Sequence, residues 1–219
     1  MRTIRKNNEP TAWLKHRSTP GATYDDVDAP KDDLRRALVK EQAGLCCYCL
    51  GRITTTPKGM KIEHWASQDR HPHRQLDYGN LLGACMGNQG SPRSQQHCDT
   101  AKGNEDLSIN PADPRHACSA LFTYLPNGKL EAAGGDVRVE KDITTLALNQ
   151  PRLMAGRRAI IEEVTGEVVR TKRTLSVNKL LGLAAKLEEP DASGNLRPFC
   201  QAGVFWLTRQ AKKRPSARG

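Results

Sequence analysis

The stretch that decides the fold runs from Cys46 to Gly103: CCYC at 46–49, KIEHW at 61–65, NLLGAC at 80–85 and HCDTAKG at 97–103. Cys46 and Cys49 stand at the C-x-x-C spacing that lets two thiolates reach one tetrahedral ion. Cys85 and Cys98 can return later in the chain to close the shell. Cys47 could also pair with Cys49, but a two-residue gap suits a zinc knuckle better than a one-residue gap, so Cys46 is preferred. A thioredoxin-like dithiol would want a strand-to-helix setting in a βαβ unit, a pattern missing nearby. Between these staples lie the adjacent pair Glu63-His64 and the lone Asn80, and directly after the last of them the carboxylate of Asp99. Such groups suit a hard divalent ion with a general base, the means by which phosphodiesters are hydrolysed.

Successive side chains of a strand point to opposite faces, so Glu63 and His64 are expected to take different roles. Glu63 would bind Mg²⁺ or another hard ion, and neutral His64 would take a proton from the attacking water. Asp99, pinned by Cys98, is the expected second ligand of that catalytic ion. Lys102, one helical turn on, could meet a phosphate oxygen or simply be solvated. Asn80 could orient the loop before it or the His64 ring. His97 could be a metal ligand, a phosphate contact or a surface residue; with Lys102 it completes the expected substrate-binding set. Cys118 and Cys200 fit no spacing and read as buried small hydrophobes.

Outward from this core, PKDDLRRALVKEQAG (30–44) predicts a helix, with Pro30 in the first turn, Asp32 and Asp33 at its positive end and Gly44 to stop it. The first thirty residues read as an arm lying on a neighbouring surface. Lys61 to Trp65 and Asn80 to Cys85 predict two short strands, and the chain after Asp99 a helix, giving a strand, strand, helix order. NPADPR (110–115) breaks that unit, Leu121 to Glu131 predicts a hairpin around Pro126-Asn127-Gly128, and Ile143 to Leu183 two or three helices. The tail KKRPSARG (212–219) is expected to be disordered. The organisation is thus an arm and helix over 1–44, a zinc-stapled core over 45–118, and a hairpin and helical region with a basic tail over 119–219.

The 219 residues carry 34 Lys and Arg against 24 Asp and Glu, a formal charge of +10, which favours a polyanionic partner. Aromatic content is 5% and mean hydropathy −0.65, consistent with a modest core and long polar connections. Met1 to Pro10 is polar and no apolar run of signal length follows, so a cytoplasmic protein is expected. No segment reaches the roughly 18 apolar residues of a membrane span, and no membrane partner is expected. Seven cysteines in that compartment read as metal ligands and free thiols instead of disulfides.

These residues together resemble the HNH endonucleases of the ββα-metal type. Glu63-His64 falls where that family has its acid and general base, and Asn80 at its middle asparagine. Cys98-Asp99-x-x-Lys102-Gly103 resembles its Cys-Asn-x-x-Lys-Gly ending. Two departures stand out: Asp99 replaces the commoner asparagine, and MGNQGSPRSQQH (86–97) is a long insertion between Cys85 and Cys98. The segments NEPTAW, GLCCYCLGRI, KIEHWAS, LDYGNLLGAC, QQHCDTAKGN and INPADP, in that order over Glu9 to Arg115, are similar to the PtuB family. These are the HNH subunits of Septu-type anti-phage systems, also found beside certain retrons. The resemblance implies an α+β fold: a zinc-stapled ββα-metal core with an N-terminal arm and helix and a mainly helical C-terminal extension. It further implies a nuclease acting on DNA or RNA in complex with a PtuA-like ATPase, in some members with a retron reverse transcriptase and its DNA. The competing expectation is a zinc-stapled module that binds nucleic acid or protein without catalysis. It accounts for the cysteines and the charge but not for the placing of Glu63, His64 and Asp99.

Overall fold

A computed structural model describes residues 1–26, 28–170 and 175–214. Helix α1 spans Thr11–Arg17 and α2 Lys31–Glu41. Pro30 is the residue before α2, and Asp32 and Asp33 occupy its first turn. Leu34 and Leu38, four apart, are fully buried on one side of α2. The helix ends in a left-handed turn: Ala43 has φ 49° and Gly44 φ 69°, with Gly44 N bonded to Val39 O and Ala43 N to Lys40 O. A Cβ on Gly44 would lie 2.2 Å from Asn195 Oδ1, so the stop needs glycine twice over.

The first thirty residues are part of the core as well as an arm on its surface. Met1 and Trp13 are buried, the Trp13 indole donates to Leu76 O (3.1 Å), and Ile4 N pairs with Pro111 O (2.7 Å). The Glu41 carboxylate, buried at the end of α2, ties the arm down: it receives Lys6, the Asn7 backbone N–H and the Tyr78 hydroxyl.

Strands β1 (Lys61–His64) and β2 (Leu81–Ala84) pair antiparallel, with Glu63 opposite Leu82 and His64 opposite Leu81. A Leu45–Arg52 bridge closes the loop carrying Cys46 and Cys49, and Cys47 N bonds Gly83 O, docking that loop on β2. Helix α3 is one turn, Asp99–Lys102. The three pieces supply the expected strand, strand, helix order.

The hairpin forms from β3 (Phe122–Tyr124) and β4 (Leu130–Ala132). Helices α4 (Val137–Thr145), α5 (Pro151–Arg170), α6 (Val177–Lys186) and α7 (Cys200–Lys212) follow. Helices α5, α6 and α7 pack on one another around Val164, Leu180, Ala184 and Leu207. Helix α7 was not anticipated; its sequence, CQAGVFWLTRQAK, lies beyond the predicted helical stretch. Lys212, where the disordered tail was expected to begin, is its last residue, and 215–219 fall outside the described residues. The segment before α7 clasps the cysteine loop, with Leu196 N bonded to Ala43 O, Phe199 N to Leu50 O, and Arg52 donating to Leu196 O. Among the described residues, no helix is long and apolar enough to cross a membrane.

Candidate metal centre and the adjoining carboxylates

Cys46, Cys49, Cys85 and Cys98 come together with all four sulfurs within 4.8 Å of one another, the only such cluster of potential ligands among the described residues. A tetrahedral zinc with bonds of about 2.3 Å spaces its sulfurs by roughly 3.8 Å. The Cys46–Cys98 and Cys49–Cys85 separations are 3.9 and 3.8 Å, so the residues fit zinc as it stands. Cys47 is excluded from the cluster and is buried, its thiol pushed well up by burial and by Cys46. Burial alone would raise Cys46 too, but hydrogen bonds from its neighbouring thiols bring it well below the usual range. Cys118 and Cys200 are likewise buried away from the cluster.

The insertion leaves the sulfurs in place by folding back on itself. His97 N bonds Gly87 O and Thr100 Oγ1 donates to Met86 O. At Gly87, with φ 56°, a Cβ would approach His97 O to 2.1 Å, so only glycine lets the two ends of the loop meet. His97 is buried on the thiol side, its Nδ1 3.3 Å from Cys98 Sγ and 3.8 Å from Cys85 Sγ. It is thereby placed against the cysteine cluster.

Cys98, at φ 55°, turns the chain so that Asp99 starts α3 facing Glu63. Glu63 and Asp99 are close enough to act on each other's ionisation. Burial first, and then Asp99, hold the Glu63 carboxyl well above its usual range. Asp99, although also raised by burial, is brought down by Glu63 and Lys61. The cluster continues through buried donors: Tyr48 OH bonds Glu63 Oε1 at 2.7 Å, and Lys102 Nζ lies 2.7 Å from the same oxygen and 2.8 Å from His64 O. Lys102 is buried, so it stands neither on a solvated face nor at the surface where an incoming phosphate would first arrive. Lys61 closes the outer side, its Nζ 2.9 Å from Asp99 Oδ2.

The His64 ring makes its own contacts beside this ion-pair cluster. Its Nε2 lies 2.9 Å from Gln75 O, and the Tyr24 ring stands edge-on to it at 4.5 Å. If Nε2 carries the proton donated to that carbonyl, Nδ1 keeps a lone pair. Burial lowers the pKa of His64, which favours the neutral imidazole. Asn80 acts on the loop instead of the ring: Oδ1 accepts from Ala66 N, and Nδ2 donates to Ala66 O and Arg74 O. It thereby stitches the two ends of the loop whose Gln75 carbonyl steadies His64.

Four contributors escaped sequence reasoning: Tyr48, Lys61, Gln75 and Tyr24. Strand alternation already put Lys61 on the same side of β1 as Glu63, and Tyr48 lay in the cysteine knuckle. For Tyr24, in the arm, and for the Gln75 backbone carbonyl there was no signal.

No family model matches the chain. It is 27% identical over 194 residues to the Septu protein PtuB of Bacillus thuringiensis, an alignment covering 83% of this chain. The chain spans 64% of the length of that relative, and it is to this Septu protein that the molecule is similar.

Proposed function

We propose that the chain is a metal-dependent HNH-type endonuclease, the nucleolytic subunit of a Septu-like anti-phage system that works with a PtuA-like ATPase. The same resemblance extends the proposal to an association with a retron reverse transcriptase and its DNA. The observation that carries the nuclease reading is that β1 and α3 bring Glu63 with Lys102, and Asp99 with Lys61, into ion pairs next to His64, whose Nε2 is fixed on Gln75 O. The similarity to PtuB supports the defence assignment.

Glu63 and Asp99 are the residues that would hold a hard divalent ion such as Mg²⁺. When bound, that ion would stabilise the charge developing on the phosphoryl group. His64 Nδ1 takes the proton of the attacking water, and Gln75 O steadies the imidazolium that forms. Tyr48 and Lys102 hold Glu63 in place throughout. Attack in this sense leaves 5′-phosphates. The four cysteines and their zinc brace the fold, setting the direction of Asp99 through Cys98.

The second reading, a zinc-stapled binding module without catalysis, draws on one observation. Glu63 is matched by Lys102 and Asp99 by Lys61, so the carboxylates are balanced without a divalent ion. Cleavage of labelled plasmid DNA and total RNA separates the two, using the full chain alone and with the ATPase, in Mg²⁺ or EDTA, beside His64→Ala. Metal-dependent cuts lost in His64→Ala support the nuclease; silence in every condition, with retained nucleic-acid binding, supports the module.

A further inference from the structure

We infer that Lys61 is the side chain that seats the backbone phosphate at the carboxylate site, a role that spacing had suggested for Lys102. This rests on the nuclease reading for the identity of the ligand, a nucleic-acid phosphodiester, and on the contrast between two lysines for its residue.

Lys102 and Lys61 both reach the acidic pair, but from opposite sides. The Lys102 and Glu63 side chains are 1% and 3% exposed, and the Lys102 ammonium is committed to Glu63 and to His64 O. Moving it toward a phosphate would strand a buried carboxyl and a buried carbonyl. The Lys61 and Asp99 side chains are 25% and 19% exposed, so the pair forms the solvent-facing edge of the same cluster. Asp99 is the one ion-pair partner of Lys61 among the described residues. An ammonium has three donors, so two remain for phosphate oxygens while the third keeps Asp99. Lys61 and Glu63 stand two residues apart on the same side of β1, which carries the seat and the acid on one strand. A phosphate bonded to Lys61 lies directly against Asp99, beside the acid it must approach for hydrolysis.

The test measures fluorescence anisotropy of a labelled duplex and a labelled single strand against the full chain carrying His64→Ala, then His64→Ala with Lys61→Met, Lys61→Arg or Lys102→Met, over a range of salt. Melting temperature and zinc content report folding. Loss of one phosphate contact by Lys61→Met should weaken binding about tenfold. The dependence of log affinity on log salt should fall by about 0.9 for the duplex or about 0.7 for the single strand. Lys61→Arg should recover the slope, whereas Lys102→Met should lower the melting temperature and leave the slope alone. Unchanged affinity and slope in a folded Lys61→Met protein overturn the proposal. In a parallel measurement on the chain that keeps His64, a nuclease whose KM is unmoved by Lys61→Met overturns the seat while leaving the nuclease reading intact. Cleavage that survives His64→Ala, alongside a lost slope, rejects the catalytic assignment and keeps the seat. Failure of the His64→Ala parent to bind either nucleic acid rejects both.

Discussion

Two polar clusters meet at a single peptide bond, Cys98 belonging to one and Asp99 to the other, and they are built on opposite principles. The cysteine cluster gathers four thiols at zinc spacing. Without a cation it must concentrate negative charge or keep buried thiols protonated, so a metal bound there would add to the folding free energy. The carboxylate cluster brings its own cations, Lys61 and Lys102, together with the Tyr48 hydroxyl. It is held together by the chain itself. The difference teaches that adjacent polar clusters in one fold can be balanced in two ways, by thiols spaced for a metal or by lysines that the chain itself supplies.

The comparison breaks most visibly if the staple is removed. Chelation, or Cys49→Ser, should unfold the core, because structural zinc in small domains contributes about 10–16 kcal/mol. Circular dichroism with zinc analysis checks this; a stable, zinc-free protein would count against the staple. His64→Ala should lower cleavage by about a hundred- to ten-thousand-fold with zinc content and melting temperature retained. Equal turnover in that variant would remove His64 from the chemistry.

Lys102→Met should cost about 3–5 kcal/mol in denaturant unfolding, since it leaves buried Glu63 without its cation. Combining it with Glu63→Gln should recover part of the loss, and strict additivity would show that the pair is not coupled. Asn80→Ala should cost about 2–3 kcal/mol by leaving buried groups of Ala66 and Arg74 unpaired. Amide exchange should then rise in the loop between β1 and β2, where a purely local role would leave it unchanged. Tyr48→Phe is the gentlest cut, about 1–2 kcal/mol, and sharpens the contrast by removing one neutral donor from the acidic site alone.

Much of this was legible in the chain because it depends on local rules. The C-x-x-C step, the alternation of β1 and the adjacency of Cys98 and Asp99 follow from covalent spacing and backbone geometry. So do the residues before and after α2. The hairpin at Pro126-Asn127-Gly128 and the first helices of the C-terminal region follow from turn chemistry and apolar period. Helix α7 was missed because its apolar residues sit in a segment set off by PDASGN and Pro198. Its burial comes from packing on α5 and α6.

The sequence by itself determined the kinds of groups present, four thiols, two carboxylates, a histidine and an asparagine, and the order in which a strand, a second strand and a helix present them. Only the tertiary structure decided which partner each would take. Lys102 turned inward to Glu63 while Lys61 took the open edge, Asn80 bound its loop in place of the imidazole, His97 went to the thiols, and Tyr24 came from the distant arm to lie against His64. The physical reason is that spacing along a chain fixes direction over a few residues. The pairing of a buried polar group is settled by whatever the whole fold brings within about 3 Å of it.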